Sequence, residues 1–320
     1  MARPFLRLLR RPRRDSLDGL GLLWCNDSVR VAKVAFVALG ILASMFFPSA
    51  SIWGATIRDD EPDSSYLALA ASPEYAPVGT FVNSWGYTGC ATLIAPDWVL
   101  TAAHMLTAAS SGTFTIDGTS YTSTQLIRNP GWNSSNPFGG YDFGLVHLSS
   151  PVVGITPATL YTGSSDVGQI GTFVGYGFTG TGLTGWTTLD GQKRAFQNVI
   201  DGNFGNPSLV LGSDFDSPHT TAYNTFGDAT PLTLEGCVAP GDSGGGVFIT
   251  IDSQTYLEGV ISFVAATDGN ANASYGDASG FGRASAFVPW ITNEMVPEPS
   301  ASTLLIGAGL VMLLGRCRRK

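Results

Sequence analysis

Short apolar runs separated by turn-forming residues fill the chain from Phe81 onward. The runs recur at even spacing, and Gly, Asn, Asp and Ser interrupt them, which is typical of a β-barrel or β-sandwich. The pattern predicts strands near residues 89–94, 98–101, 113–116, 120–127, 143–148, 170–176, 195–200, 246–251, 256–263 and 283–286. Residues 287–295 have a helical pattern, with Pro289 in the first turn, where proline is tolerated. We therefore expect an all-β domain that ends in one short helix.

Composition and charge narrow the class of protein. The chain is 44% apolar and contains 40 Gly and 18 Pro, which excludes a disordered chain and disfavours a coiled coil or helix bundle. Residues 55–295 carry 5 basic and 21 acidic side chains. Because such a surface repels phosphate, we expect no binding of nucleic acid.

The amino-terminal region has the pattern of a targeting segment. Fourteen uncharged, mostly apolar residues at 34–47 follow Arg30 and Lys33 and precede small residues. This length suits the core of a signal peptide, whereas a spanning helix needs about 20 residues. We predict a signal or leader segment over 1–54, cut by a signal peptidase, and then an acidic N-terminal or pro segment over 55–77. The alternatives for the apolar run are a buried core helix and a short membrane anchor.

The carboxyl-terminal region, residues 296–320, has three parts. Pro297-Glu298-Pro299 is followed by fifteen uncharged residues, 301–315, and then by four basic groups in the last five residues. This arrangement resembles the PEP-CTERM sorting tail of Gram-negative bacteria. The resemblance implies cutting by an exosortase-type sorting enzyme and transient membrane association through the tail. It also implies an exported protein of the cell envelope, tethered to the inner membrane and then on the outer surface or extracellular. The alternative is a simple tail anchor.

Three short motifs carry candidate chemistry. An apolar strand, 98–101, runs through small residues into His104; Asp142 stands before an apolar strand; and Ser243 lies in Pro-Gly-Asp-Ser-Gly-Gly-Gly, 240–246. Each has a common structural explanation by itself: a structural or surface histidine, a turn aspartate and a generic glycine-rich loop. Together they supply a nucleophile, a base suited to neutral pH and a carboxylate that orients the base.

In their order along the chain, these motifs resemble the trypsin/chymotrypsin-like serine proteases, over residues 78–295. The resemblance implies two six-stranded antiparallel barrels (a chymotrypsin-like fold) with a short C-terminal helix and the site between them. It gives His104 the role of general base and acid, Asp142 that of its orienter and Ser243 that of nucleophile. Backbone N–H groups of Gly241 and Ser243 would form the oxyanion hole. The substrate-binding residues would be Ser262, Phe263 and Val264, and neither a cofactor nor a metal is expected.

The chain also departs from the family pattern. Cys237 stands where trypsin has the aspartate of its pocket, so the sequence does not predict cleavage after Lys or Arg. Val264 replaces a glycine at the pocket mouth, which predicts small or medium apolar residues at the cleaved position. Cys90 and Cys237 either form one internal disulfide or remain two free thiols.

The usual activation signal is also missing, because no Ile-Val-Gly-Gly sequence occurs between Arg58 and Cys90. We therefore expect activity without a trypsin-type cleavage. The buried carboxylate of Asp242 then needs a cation or several hydrogen-bond donors. The basic candidates are Arg128, Lys193, Arg194 and Arg283.

The sequence thus predicts an exported serine endopeptidase that hydrolyses peptide bonds in protein or peptide substrates through an acyl-enzyme on Ser243. The alternative function is a catalytically inactive, protease-like binding module of the envelope or extracellular matrix, because a fold does not guarantee an activity.

Overall fold

The computed structural model describes residues 55–188, 190–206, 208–227 and 230–296. The predicted leader, 1–54, and the tail from residue 297 onward lie outside the described residues and stay predictions. Among the described residues, no helix has the length and apolar character needed to cross a membrane.

Six antiparallel strands form a closed barrel in the first half of the domain, in the order β2-β3-β4-β7-β6-β5. Strands are numbered in chain order, and these are β2 Val78–Asn83, β3 Thr88–Ala95, β4 Trp98–Thr101, β5 Gly112–Ile116, β6 Thr119–Arg128 and β7 Gly144–Leu148. In β5, buried Phe114 and Ile116 alternate with partly exposed threonines. This period of two places one face of the strand in the core, beside Phe81, Leu93 and Leu100.

The second half is a seven-stranded antiparallel sheet in the order β11-β8-β15-β16-β17-β13-β12. Its strands are β8 Ile170–Gly175, β11 Arg194–Val199, β12 Gly202–Asn203, β13 Val210–Asp214, β15 Gly246–Ile251, β16 Gln254–Ala265 and β17 Ala278–Arg283. The expectation of a second closed, six-stranded barrel is therefore corrected to a half-barrel. The edges do not meet because the outer edge of β11 bonds elsewhere: the Gln197 N–H donates to the Leu234 carbonyl at 2.8 Å.

A small four-stranded sheet and two helices complete the domain. The sheet has the order β10-β9-β1-β14. Its strands are β1 Thr56–Ile57, β9 Thr179–Thr181, β10 Gly185–Thr188 and β14 Gly236–Cys237. Helix α1, Asp63–Ala70, buries Tyr66 and Ala70. Helix α2, Val288–Met295, has its proline in the first turn and buries Ile291.

The mostly β fold class is confirmed, but the strand assignment misplaced one strand and missed others, among them β2 and β13. The segment predicted as a strand at 283–286 contains only the last residue of β17, and residues 284–286 form a 3₁₀ turn. Strand β17 is formed by Ala-Ser-Gly-Phe-Gly-Arg, which has no apolar run for a pattern to detect. Its cross-strand partners on β13 and β16 make it a strand.

Candidate active site

Two neighbouring strands of the barrel bring His104 and Asp142 together. Strands β4 and β7 are paired, with Thr101 opposite Gly144. His104 lies on a 3₁₀ turn just after β4, and Asp142 lies just before β7, so both reach the same end of the barrel. The Nδ1 atom of His104 lies 2.7 Å from Oδ2 of Asp142, and the backbone N–H of His104 donates to Oδ1 at 2.8 Å. The carboxylate therefore fixes the ring orientation.

Ser262 gives the Asp142 carboxylate a third donor. Its hydroxyl donates to Oδ2 of Asp142 at 2.5 Å. The ladder between β16 and β17 shifts register between Ile261 and Phe263, so Ser262 stands at a β-bulge, a feature that redirects side chains near functional sites. Asp142 is only 2% exposed, and these donors compensate the burial of its charge.

Ser243 lies in the tight loop between β14 and β15. Gly241 and Gly244 on either side have φ angles of 94° and 85°, which glycine adopts without strain. A Cβ atom on Gly244 would also lie 2.2 Å from the Cys90 carbonyl oxygen. The carbonyl of Ser243 accepts from the Cys90 N–H at 2.8 Å, which fixes the loop against β3.

Two backbone N–H groups of this loop are available to a ligand. Among the described residues, no acceptor takes the N–H of Gly241 or of Ser243. The N–H of Phe178 donates to the Pro240 carbonyl at 2.8 Å. Because a trans peptide directs its C=O and N–H to opposite sides, this bond fixes the direction of the Gly241 N–H. The arrangement has the form of an oxyanion hole.

Two cavities meet at Ser243. One, of about 450 Å³, has both His104 and Ser243 in its wall, and its remaining lining residues are Asn83, Tyr87, Thr88, Met105, Thr107, Pro240 and Gly241. The other, of about 230 Å³, is lined by Val238, Ala239, Pro240, Ser243, Ile261, Ser262, Phe263, Val264 and Ala271. We call the second the specificity pocket, after the role that is proposed for it below. All three predicted substrate-binding residues line it, and its described lining carries no charged side chain.

Asp242 is buried behind the loop that carries Ser243, without a basic partner among the described residues. Its carboxylate accepts from the N–H groups of Gly177 and Ala239, both at 2.9 Å. Burial raises the pKa of this carboxyl to about 7. Three of the basic candidates have other partners: Lys193 donates to the Tyr75 carbonyl, Arg194 pairs with Asp63 and Asp190, and Arg283 pairs with Asp166. Of the two alternatives, backbone donors rather than a cation hold Asp242.

Cys90 and Cys237 are free, buried thiols, so the disulfide considered from the sequence does not form. Their sulfur atoms contact different groups. The Cys90 thiol donates to the Gly241 carbonyl and accepts from the Tyr176 N–H, both at 3.3 Å, whereas Cys237 accepts from the Ser279 hydroxyl at 3.4 Å. Burial raises the pKa of both thiols, so they stay protonated.

The other two histidines lie outside the site. His147 contacts Thr124 and Asp97, and His219 contacts Asp59. Within the described ranges, no group of three or more His, Cys, Asp or Glu side chains is arranged to hold a metal ion.

Sequence reasoning missed several residues that line the two cavities. Val238 and Ala239 directly precede the serine motif and Pro240 begins it, so their proximity to Ser243 was a usable signal. Tyr87 and Ala271 come from loops distant in sequence, and no local pattern marks them.

Similarity to known proteins shows which family this chain belongs to. The family model described as Trypsin matches residues 71–291, which is more than half of the chain. This chain belongs to the trypsin family of serine proteases. Chymotrypsin-like elastase family member 1 from Rattus norvegicus is 31% identical over 230 residues, covering 66% of this chain and 80% of the relative. The Bos taurus protein of the same name is 32% identical over 234 residues, covering 67% and 80%.

A solved structure shares the trypsin-family fold of this chain. The HL collagenase structure covers 71% of this chain and 97% of its own, with a TM-score of 0.52 and 18% sequence identity. At this identity the likeness concerns the fold.

Proposed function

We propose that this trypsin-family protein is a serine endopeptidase with Ser243 as nucleophile, His104 as general base and acid, and Asp142 as the orienting carboxylate. The observation that carries the proposal is the bonding of His104 to a buried Asp142 at the wall of a cavity that also contains Ser243. A serine hydroxyl is a weak nucleophile until a base accepts its proton, and this base is held in one orientation.

The reaction follows from the positions of these groups. The Oγ atom of Ser243 attacks the peptide carbonyl carbon while Nε2 of His104 takes the hydroxyl proton. The Gly241 and Ser243 N–H groups stabilise the oxyanion, His104 then protonates the departing amine, and the acyl group stays on Ser243. Water deprotonated by His104 attacks the acyl carbon, and the serine takes back its proton. Removing one oxyanion donor typically costs a factor of about 10²–10³.

The preferred residue at the cleaved position is proposed to be small or medium and apolar. The specificity pocket has a volume of about 230 Å³ and Val, Ala, Ile and Phe in its walls. The elastase-like relatives support this direction by their names. A guanidinium or ammonium group would enter this pocket without a carboxylate partner, which is unfavourable.

Export and sorting to the cell envelope also remain proposals. They are supported by the apolar segment at 34–47 and by the Pro-Glu-Pro, apolar and basic segments of the tail. The expected processing partners are a signal peptidase and an exosortase-type sorting enzyme.

Peptide hydrolysis by the purified protein tests the proposed activity. We expect cleavage of peptide p-nitroanilides with Ala or Val before the scissile bond, at a higher kcat/KM than with Arg. Ser243→Ala and His104→Ala should each abolish turnover, whereas Ser134→Ala, a change at an exposed serine, should not. Arg as the best residue would contradict the proposed specificity. A folded parent that cleaves no peptide would favour the inactive binding module.

A further inference from the structure

The first described strand, β1, is built into the sheet beside the specificity pocket. Thr56 pairs with Cys237 on one side and Gly180 on the other. The carbonyl of Ile57 also accepts from the Gly182 N–H at 2.9 Å. The strand therefore joins two segments that are far apart in sequence, one before the nucleophile loop and one in the β9–β10 hairpin.

The side chain of Thr56 adds a third segment. It is completely buried, its hydroxyl donates to the Ala273 carbonyl at 2.7 Å, and it lies 3.3 Å from the Cys237 carbonyl oxygen. A buried carbonyl that loses its donor costs about 1–3 kcal/mol. Thr56 thus links the 273 loop to β14.

Two of the three linked segments continue directly into the pocket, and the third is bonded to its wall. Residues 238–240, which follow β14, form one wall, and Ala271, two residues before Ala273, forms part of another. Phe178, which precedes β9, holds the Pro240 carbonyl. A shift of β1 would therefore move the walls rather than a distant part of the surface.

Residues just after β1 contact the same segments. The Arg58 guanidinium donates to the Leu232 carbonyl at 2.7 Å, and the Tyr66 hydroxyl donates to the Glu235 carbonyl at 3.0 Å. The Tyr275 hydroxyl donates to Asp59 at 2.5 Å. These contacts fix β1 in place on the 232–237 and 273–275 segments.

We infer that β1 orders the specificity pocket and that Thr56 is its positioning residue; the inference rests on the proposed endopeptidase function. The contacts of β1 and of residues 58–66 are made by side chains and by backbone groups inside the chain. None of them therefore requires an amino terminus released by proteolysis. Asp242, held by two backbone N–H groups, needs none either. The segment 55–66 then serves as an activating part of the domain rather than as a removable pro segment.

Three threonine variants test this role in the full chain. Thr56→Val keeps the side-chain shape but removes the hydroxyl, and Thr92→Val is the matched control. Thr92 is also buried, on β3 of the barrel, and its hydroxyl has no partner among the described residues. Thr56→Ser restores the hydroxyl.

We expect Thr56→Val to raise KM about tenfold for a pocket-filling Val p-nitroanilide, with Thr56→Ser close to the parent and Thr92→Val unchanged. The rate of labelling by diisopropyl fluorophosphate should change less than threefold, because this small probe needs no ordered pocket. A merely structural role would lower cleavage and labelling together, in proportion to the folded fraction seen by near-ultraviolet circular dichroism.

The outcomes separate the inference from the function on which it rests. Equal kinetic constants for Thr56→Val and Thr92→Val, or a parallel loss of cleavage and labelling, would overturn the positioning role alone. A folded parent that neither cleaves nor takes the label would overturn the proposed function and the inference with it.

Discussion

Asp142 is the residue on which the geometry of the site depends, since its carboxylate binds the ring and backbone of His104 and the hydroxyl of Ser262. Asp142→Asn keeps the size but offers an amide to Nδ1, which favours the wrong histidine tautomer. We expect kcat to fall by about 10⁴ with little change in KM. The measurement is steady-state hydrolysis of the preferred p-nitroanilide.

The chain supplies its own control for this change. Asp97 contacts His147 at 3.2 Å, on the barrel surface away from the site, so Asp97→Asn alters a second histidine–carboxylate pair. Its kcat should match the parent. Equal losses in the two variants would refute the assignment of Asp142.

We predict that the Cys90 thiol holds the loop that carries Gly241 and Ser243 in position. Cys90→Ala leaves the Gly241 carbonyl without the thiol donor and the Tyr176 N–H without its acceptor, at a cost of about 1–3 kcal/mol. We expect kcat to fall about tenfold, measured beside Cys237→Ala as the second buried-thiol variant. If Cys237→Ala costs as much activity, the effect is general to the core and the specific role is wrong.

At single residues, the sequence indicates candidate chemistry but not the contacts that surround it. His104, Asp142 and Ser243 stand in motifs whose residue types already indicate their roles. The bond from Ser262 to Asp142 depends on a β-bulge, and the donors to Asp242 are backbone groups of Gly177 and Ala239. Side-chain patterns carry no information about such backbone donors.

At the scale of the elements, Gly177, just after β8, packs closely against the loop that carries Ser243 and so restricts the position of that loop. A Cβ atom on Gly177 would lie 2.5 Å from the Asp242 nitrogen and 2.7 Å from the Pro240 oxygen. Gly177→Ala must therefore push the loop and loosen the donors at Asp242. We expect the unfolding free energy to fall by about 1–3 kcal/mol. The fractional fall in kcat should be larger than the fractional rise in KM.

Gly139→Ala is the matched control for that change, because its new Cβ would meet only the flexible Asn136 side chain, at 3.3 Å. Chemical denaturation and peptide hydrolysis measure the two effects. A Gly177→Ala protein with parental kcat would show that the loop does not depend on this close approach.

Element prediction succeeded at several strands with clustered apolar residues, missed β2 despite its apolar residues, and failed most clearly where neighbouring strands impose the conformation. Strand β4, Trp98–Thr101, was predicted with its observed bounds. Strand β1 has two residues and β17 has mainly small ones, so both owe their conformation to paired strands. Pairing between distant segments is not encoded in a local period.

At the scale of the whole molecule, buried carboxyls predict an unusual dependence of stability on pH. Burial raises the pKa of Asp242 to about 7, of Glu235 to about 8 and of Glu258 to about 9. Because these folded-state values exceed the unfolded ones, the folded protein binds more protons between about pH 4 and 9. The unfolding free energy should therefore fall as pH rises through this window.

Thermal unfolding at pH 5, 7 and 9 measures this slope. We expect the highest Tm at pH 5 and a flatter dependence for Glu258→Gln, which removes one titrating group. A Tm that rises steadily from pH 5 to pH 9 would refute the prediction. The acidic excess of residues 55–295 acts in the same direction, because self-repulsion grows as carboxyls ionise.

The sequence predicted the fold class of the whole domain, but it did not predict that the second sheet stays open. Even strand spacing indicated barrels or a sandwich, and the family resemblance of the three motifs implied two barrels with the site between them. Whether the second sheet closes depends on hydrogen bonding at its edges, where the outer edge of β11 pairs with the 234–235 segment. That edge contact joins residues nearly 40 positions apart and leaves no trace in the apolar pattern.

The central claim is that Ser243 is a nucleophile activated by His104, and labelling with a fluorescent fluorophosphonate tests it most directly. We predict that the parent and Ser134→Ala take the label, that mass spectrometry places it on Ser243, and that Ser243→Ala and His104→Ala do not react. A folded parent that stays unlabelled, or label that persists in Ser243→Ala, would contradict it.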